Sequence, residues 1–304
     1  MATDFYLDSC GKGKIRCRRW EPAQTPKAVF QIIHGIAEHV ERYDHFAEYL
    51  AEHGYLVVAE DHMGHGKSGG DGAIAGYFHG GWNAAVEDSY GLLTALQQEY
   101  PHIPYILFGH SMGSFIARNI LSRYPDSGIA ASIISGTCWQ PAFAMPAIVK
   151  LMDVICRFTD EEKPNEKLQN LVFGSYNARI EHPRTSLDWV SRDKQVVDAH
   201  PMNHGFRPAA GLLRDMMVGL NQGERQGNLS AMDKKLPVFF VAGGDDPVGN
   251  YGKGIHAAAD AFREAGMQNV SVRIYPLCRH EILNEINRQE IYEDILQWTE
   301  NIIK

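Results

Sequence analysis

The sequence predicts an α/β fold: a mostly parallel central sheet of about eight strands, helices on both faces, and a helical insertion. Three observations carry that expectation. Apolar runs of strand length alternate with helix-length periodic stretches from Ala28 to Gly136. The rhythm stops over 137–227 and returns after Lys235. A glycine-flanked turn, Gly109-His110-Ser111-Met112-Gly113, joins an apolar run to a helical one.

Taken in order, residues 3–20 alternate loosely and break at Gly11-Lys12-Gly13, which predicts a hairpin. The run AVFQII at 28–33 reads as a buried strand. Residues 41–53 place Phe46, Tyr49 and Leu50 on one helical face, and Gly54 stops the helix. A strand at 55–59 leads into a glycine-rich loop over 61–72. A helix at 82–100, a strand at 104–108 and a strand at 129–134 follow. Beyond the insertion come a strand at 236–242, a helix at 253–265, a strand at 270–275 and a closing amphipathic helix at 287–303. The expected division is a first core part at 1–136, a cap at 137–227 and a second core part at 228–304, with the cap above the strand ends where such sheets bind ligands.

Composition narrows the function. At 304 residues the chain has length for one large α/β domain with an insertion, or for two small domains. A net charge of −8 argues against nucleic acid as a partner and against a general attraction to anionic membranes. The five cysteines are scattered and form no Cys-x-x-Cys pair, which points to free thiols in a reduced, cytoplasmic compartment. The first residues contain no apolar core of a signal peptide, and no run reaches the length of a membrane span.

Chemistry centres on Ser111. A serine between two glycines at a strand-to-helix turn is held with its hydroxyl exposed. It needs a base, and the base needs an orienting acid. After the strand 236–242 comes Gly243-Gly244-Asp245-Asp246-Pro247, and after the strand 270–275 comes Arg279-His280-Glu281. His280 is the expected base because it sits between the last strand and the last helix. Asp246 is preferred as the acid because Pro247 fixes the turn behind it, with Asp245 as the competitor. An oxyanion needs two backbone N–H donors: Met112, after the serine, and Ile36, in the loop His34-Gly35-Ile36-Ala37-Glu38-His39. Gly35 lets that loop pass close to substrate, and Glu38 is either its anchor or a surface carboxylate.

Other signals are weaker. His62-Met63-Gly64-His65, with His34 and His39, lacks the partners and spacing of a metal site, so no metal is expected. Gly64, Gly66 and Gly69 match neither a dinucleotide fingerprint nor a phosphate loop, so no cofactor is expected. Cys278 reads as a packing residue. In the insertion, 144–158 is apolar around most of its circumference, which suits core packing, an acyl-chain pocket or a lipid surface. Phe173, Tyr176 and Trp189 fit either core or pocket.

With these residues in place, the chain resembles the α/β-hydrolase superfamily, in its monoacylglycerol lipase and bacterial lysophospholipase-like branch, also called serine aminopeptidase S33-like hydrolases. The motifs are HGIAEH at 34–39, DHMGHGKS at 61–68, GHSMGS at 109–114, GGDDPVG at 243–249 and RHEILNE at 279–285, and the stretch 173–193 is similar to the cap of bacterial members. The resemblance implies Ser111, Asp246 and His280 as triad, Ile36 and Met112 as oxyanion donors, and His34, Gly35, Glu38, Gly109, His110 and Gly113 in support. It departs at Ser114, where such lipases usually carry glycine.

The expected function is therefore a serine hydrolase of carboxylic esters with an apolar acyl group, such as monoacylglycerol or lysophospholipid. Its partner is a small ester or lipid, with transient membrane-surface contact through the cap. An aminopeptidase, for which Asp160-Glu161-Glu162 is the candidate amine-binding cluster, and an acyltransferase are the rivals on the same triad. A non-catalytic binding protein on this fold has no need of all three triad members.

Overall fold

The computed structural model describes residues 2–70, 72–140 and 143–304; Asp71 of the glycine-rich loop and Pro141 and Ala142 of the insertion lie outside the described residues, as does Met1. Eight strands form one sheet: β1 Ala2–Asp8, β2 Lys14–Trp20, β3 Ala28–Ile33, β4 Tyr55–Glu60, β5 Tyr105–His110, β6 Ile129–Ser135, β7 Val238–Gly243 and β8 Val270–Tyr275. Their order is β1-β2-β4-β3-β5-β6-β7-β8. The hairpin β1–β2 is antiparallel and β2 pairs antiparallel with β4, while every later pairing is parallel. A mostly parallel eight-stranded sheet with helices on both faces is thus what the sequence forms.

The alternation of side chains along each strand builds two cores. Val29 and Ile33 of β3 join Leu107, Ile134 and Phe240 beneath α2 Gly81–Glu99, α3 Met112–Arg123 and α9 Lys253–Glu264. Phe30 and Ile32, one residue out of step, join Phe108, Ile133 and Val241 beneath α1 Asp44–Glu52 and α10 Arg288–Ile302. Strands buried on both faces explain why the central runs are apolar at almost every position.

Between β6 and β7 the described residues form five α-helices: α4 Met145–Phe158, α5 Glu166–Phe173, α6 Lys194–Asp198, α7 Ala210–Glu224 and α8 Gln226–Ala231. Of these, α7 packs on α2 and α3 in the helix layer, and α4 packs on α7. Among the described residues no helix is long and apolar enough to cross a membrane.

Some boundaries move for identifiable reasons. The helix expected from residue 41 opens with a 3₁₀ turn, Val40–Tyr43, because the Val40 N–H is drawn onto Asp61 Oδ1 at 2.8 Å. β7 begins two residues later than expected, since Pro237 has no N–H to donate to the ladder. β5 runs on to His110, so the strand reaches the residue before Ser111.

The loops leaving the C-terminal ends of β3, β4, β5, β7 and β8 gather along one edge of the sheet, which is where open α/β sheets hold their ligands. A buried cation braces that edge. The Arg16 guanidinium, fully buried, donates to Asp61 Oδ2 at 3.0 Å and pairs with Asp4 and Glu41 at 2.8 Å each. Asp61 in turn accepts the amides of Val40 and Lys67, so one carboxylate holds both the β3 and the β4 loops. Arg16→Met leaves the buried Asp61 carboxyl group without its cation. The expected loss in urea unfolding is about 3–5 kcal/mol; a variant as stable as the parent would remove Arg16 from the framework.

Candidate active site

Ser111 stands between β5 and α3 with φ 52° and ψ −121°, a backbone conformation that side chains rarely adopt. Its N–H donates to Ser135 O at 2.9 Å, and its carbonyl accepts the Ser114 amide at 2.9 Å. The two flanking glycines are required by contact. A Cβ on Gly109 would stand 2.5 Å from Gly113 O, and one on Gly113 would overlap the Ile33 carbonyl. The motif thus reports the close crossing of α3 over the end of β3.

Met112 is the first residue of α3, where a backbone N–H has no carbonyl four residues earlier to bond. The loop carrying Ile36 lies against the serine: a Cβ on Gly35 would come within 3.0 Å of Ser111 Cβ. Ala37 turns the loop with φ 59°. Glu38, buried, accepts the Gly35 N–H at 2.5 Å and the Tyr43 hydroxyl at 3.0 Å, and its other oxygen lies 3.5 Å from Arg42. Its carboxylate therefore pins the loop from inside.

His280 is buried, and its Nδ1 lies 3.0 Å from Asp246 Oδ2. With Nδ1–H donated there, Nε2 is left free to accept a proton. Burial opposes the charged imidazole, but Asp246, with Glu281 and Glu38 behind it, outweighs burial and holds its pKa above the ordinary 6.5. Asp246 is fully buried and also accepts the Val248 N–H at 2.9 Å. Asp245 is exposed, and its amide is spent on Cys278 O at 2.9 Å. Gly243 makes this meeting possible, since a Cβ there would overlap the carbonyls of Cys278 and Arg279. The described hydrogen bonds join His280 to Asp246 but not Ser111 to His280; such contacts are often loose without substrate.

Several other buried histidines serve the scaffold. His34 Nδ1–H donates to Gly35 O at 2.7 Å while its Nε2 accepts the His62 amide at 3.1 Å, and His62 Nε2–H returns to His34 O at 3.0 Å. Burial keeps all three of this group neutral: His34 falls well below its usual range, His62 to about 4 and His65 to about 3. Among the described residues no His, Cys, Asp or Glu cluster would hold a metal ion. His110, its pKa pushed to about 3 by burial and by His280, packs its ring 4.6 Å from that of His280. Cys278 is buried, and its thiol, raised to about 11, bonds Asn287 Oδ1.

Sequence reasoning missed a polar chain behind the serine. The Ser114 hydroxyl reaches Ser111 O at 2.5 Å and Thr137 Oγ1 at 2.8 Å. Arg118, fully buried, donates to Thr137 Oγ1 at 3.4 Å, Cys138 O at 3.3 Å and Gly223 O at 3.0 Å. Nearby Glu224 is raised to about 7 by burial, against the pull of Arg118. The chain ties the turn to both ends of the insertion. The signal was present: an arginine on the apolar run of α3, and a serine where a glycine was expected. Ser114→Ala deprives this chain of its central hydroxyl, and urea unfolding should lose about 1–3 kcal/mol. An unchanged midpoint would mean the hydroxyl bridge contributes nothing.

The family described as Serine aminopeptidase, S33 matches residues 24–287. The chain is 42% identical over 286 residues to a monoglyceride lipase of Homo sapiens, covering 93% of this chain and 85% of that one. It is 30% identical over 285 residues to a monoacylglycerol lipase of Mycolicibacterium smegmatis, covering 92% and 90%. A thermostable carboxyl esterase of Bacillus coagulans superposes with a TM-score of 0.91 at 29% identity, covering 100% and 99%. The chain belongs to this family, in the monoacylglycerol lipase-like branch of the α/β-hydrolases, and is a carboxylic ester hydrolase.

Proposed function

We propose that the enzyme cleaves esters of apolar acyl groups through an acyl-enzyme at Ser111. His280 Nε2 takes the hydroxyl proton as Ser111 Oγ attacks the ester carbonyl. The amides of Ile36 and Met112 receive the oxyanion. His280 then hands its proton to the leaving alcohol, and a water activated by the same nitrogen releases the acid. Asp246 keeps Nδ1–H in place and stabilises the imidazolium. The observation that carries the reading is the buried 3.0 Å contact between His280 Nδ1 and Asp246 Oδ2 beside the Ser111 turn.

Monoacylglycerol is the substrate class favoured, because relatives covering most of the chain carry that activity in their names. The insertion adds support. Phe143 and Phe158 are 88% and 86% exposed, and Leu151, Val154 and Leu171 are exposed as well. An apolar surface of that kind suits transient contact with a lipid surface that delivers such esters. An aminopeptidase needs a free carboxylate for the substrate amine. The acidic run at 160–162 is poorly suited, since Asp160 pairs with Lys163 and Glu161 with Arg214 and the Tyr77 hydroxyl.

Labelling with a fluorophosphonate probe tests the nucleophile, with wild type reacting and Ser111→Ala silent; an unlabelled wild type would sink the mechanism. Among esters of rising chain length, monoacylglycerol, lysophospholipid and an aminoacyl anilide, the monoacylglycerol should be preferred. Preference for the anilide would favour the aminopeptidase.

Ser111→Ala and His280→Ala should each lower kcat on the order of 10⁶-fold, and Asp246→Asn on the order of 10⁴-fold. Asp245→Asn should stay near wild type, and the reverse pattern would move the acid role to Asp245. The profile of kcat/KM against pH should fall on the acid side. The base works only when unprotonated and its pKa is raised, so activity is full at high pH and is lost as pH drops through a value above 6.5. An acid limb lying below 6.5 would contradict the raised basicity.

A further inference from the structure

The segment of the insertion around Trp189 is bound into the loop that carries His280. The His280 and Glu281 amides donate to Trp189 O at 3.4 Å and Val190 O at 2.8 Å. Arg279 Nη1 donates to the carbonyls of Asp188 at 2.6 Å and Ser191 at 3.0 Å. Ser191 Oγ donates to Asn284 O at 2.9 Å, and Arg192 Nε to Glu285 Oε2 at 2.8 Å. Trp189 itself is buried, its N–H held by Asn177 Oδ1 at 2.9 Å. Its indole ring lies 5.1 Å from the His280 ring and 4.8 Å from Tyr176. Among the described residues the indole Nε1–H meets no acceptor, although a buried tryptophan usually finds one.

We propose that Trp189 is a positioning residue for the base: its indole fixes the His280 imidazole and favours the imidazolium formed when the Ser111 proton is taken. This rests on His280 acting as the base. A cation over the face of an aromatic ring and within about 6 Å of its centroid is attracted by the π electrons, and indole attracts most strongly. The Trp189 and His280 rings are tilted by 45° at a centroid separation of 5.1 Å. The charge would form inside that range, away from solvent. Of the charged and titratable groups around His280, Asp246, Glu281 and Glu38 favour the cation and His110 and His200 oppose it when charged, while Arg42 is paired with Glu281 behind it. The insertion then takes part in the chemical step as well as in access to it.

Trp189→Leu and Trp189→Phe in the full chain, assayed on a short, water-soluble ester across the acid limb, provide the test. Fluorophosphonate labelling counts the competent sites in each variant. For Leu, kcat per labelled site should fall about tenfold and the acid-limb pKa should drop by about half a unit to one unit. Phe should lie between Leu and wild type on both measures, with KM nearly unchanged throughout. A lower kcat with the acid limb unmoved or shifted upward would make Trp189 a packing residue and overturn the proposal, as would an unchanged kcat. If wild type neither labels nor shows an acid limb, it is the serine mechanism that has failed, and the proposal falls with it.

Discussion

The close crossing of α3 over the end of β3 is the constraint on which the site depends. Gly113 has no room for a Cβ against the Ile33 carbonyl, Gly109 none against Gly113, and Gly35 comes up against Ser111 Cβ. Three glycines at one crossing bring the start of α3 and the β3 loop together. Those two segments hold the Met112 and Ile36 amides, the proposed oxyanion donors. A larger residue at any of the three would have to push the serine away from the loop it faces. The strain at Ser111 is sustained because the crossing and the Ser135 carbonyl leave its backbone no alternative.

A second layer, of charge, locks the loops to one another. Arg42 is almost wholly buried between Glu38, which holds the β3 loop, and Glu281, the neighbour of His280. A single cation thus spans the loop after β3 and the loop that carries His280. Buried pairs of this kind add little net stability, because desolvation offsets most of their attraction. Their consequence is geometric: moving either loop strands a carboxylate in the interior. The neutral histidines complete the layer without adding charge, so among the charged groups around His280 it is the carboxylates that raise its basicity.

Much of this was legible in the sequence because it is written locally. Strands β3 to β7 declare themselves as largely apolar runs, the turn at Ser111 as glycines at fixed spacing, and Asp246 and His280 as polar residues following β7 and β8. Pairings between residues far apart in the chain were not legible. The Ser114–Thr137–Arg118 chain joins α3 to both ends of the insertion, and the contact of Trp189 with His280 spans some ninety residues. Periodicity reports which face of an element is apolar and says nothing about which polar group on another element meets it. The turn at Val40–Tyr43 shows the same limit, since helical spacing was present and a distant carboxylate changed the geometry.

The insertion divides into parts that answer to different physics. Its two ends are held by Arg118, and its middle, around Trp189, is stitched to the His280 loop by backbone hydrogen bonds. These parts cannot shift without disturbing the groups proposed to do chemistry, so they behave as core despite lying in an insertion. The surface near α4 and α5 carries exposed phenylalanine and leucine side chains instead. Apolar exposure costs free energy in water and is recovered only against something apolar. A chain that fastens the middle of its insertion to the His280 loop and leaves another part apolar in water separates, on the proposed reading, the holding of the reaction from the capture of an apolar substrate.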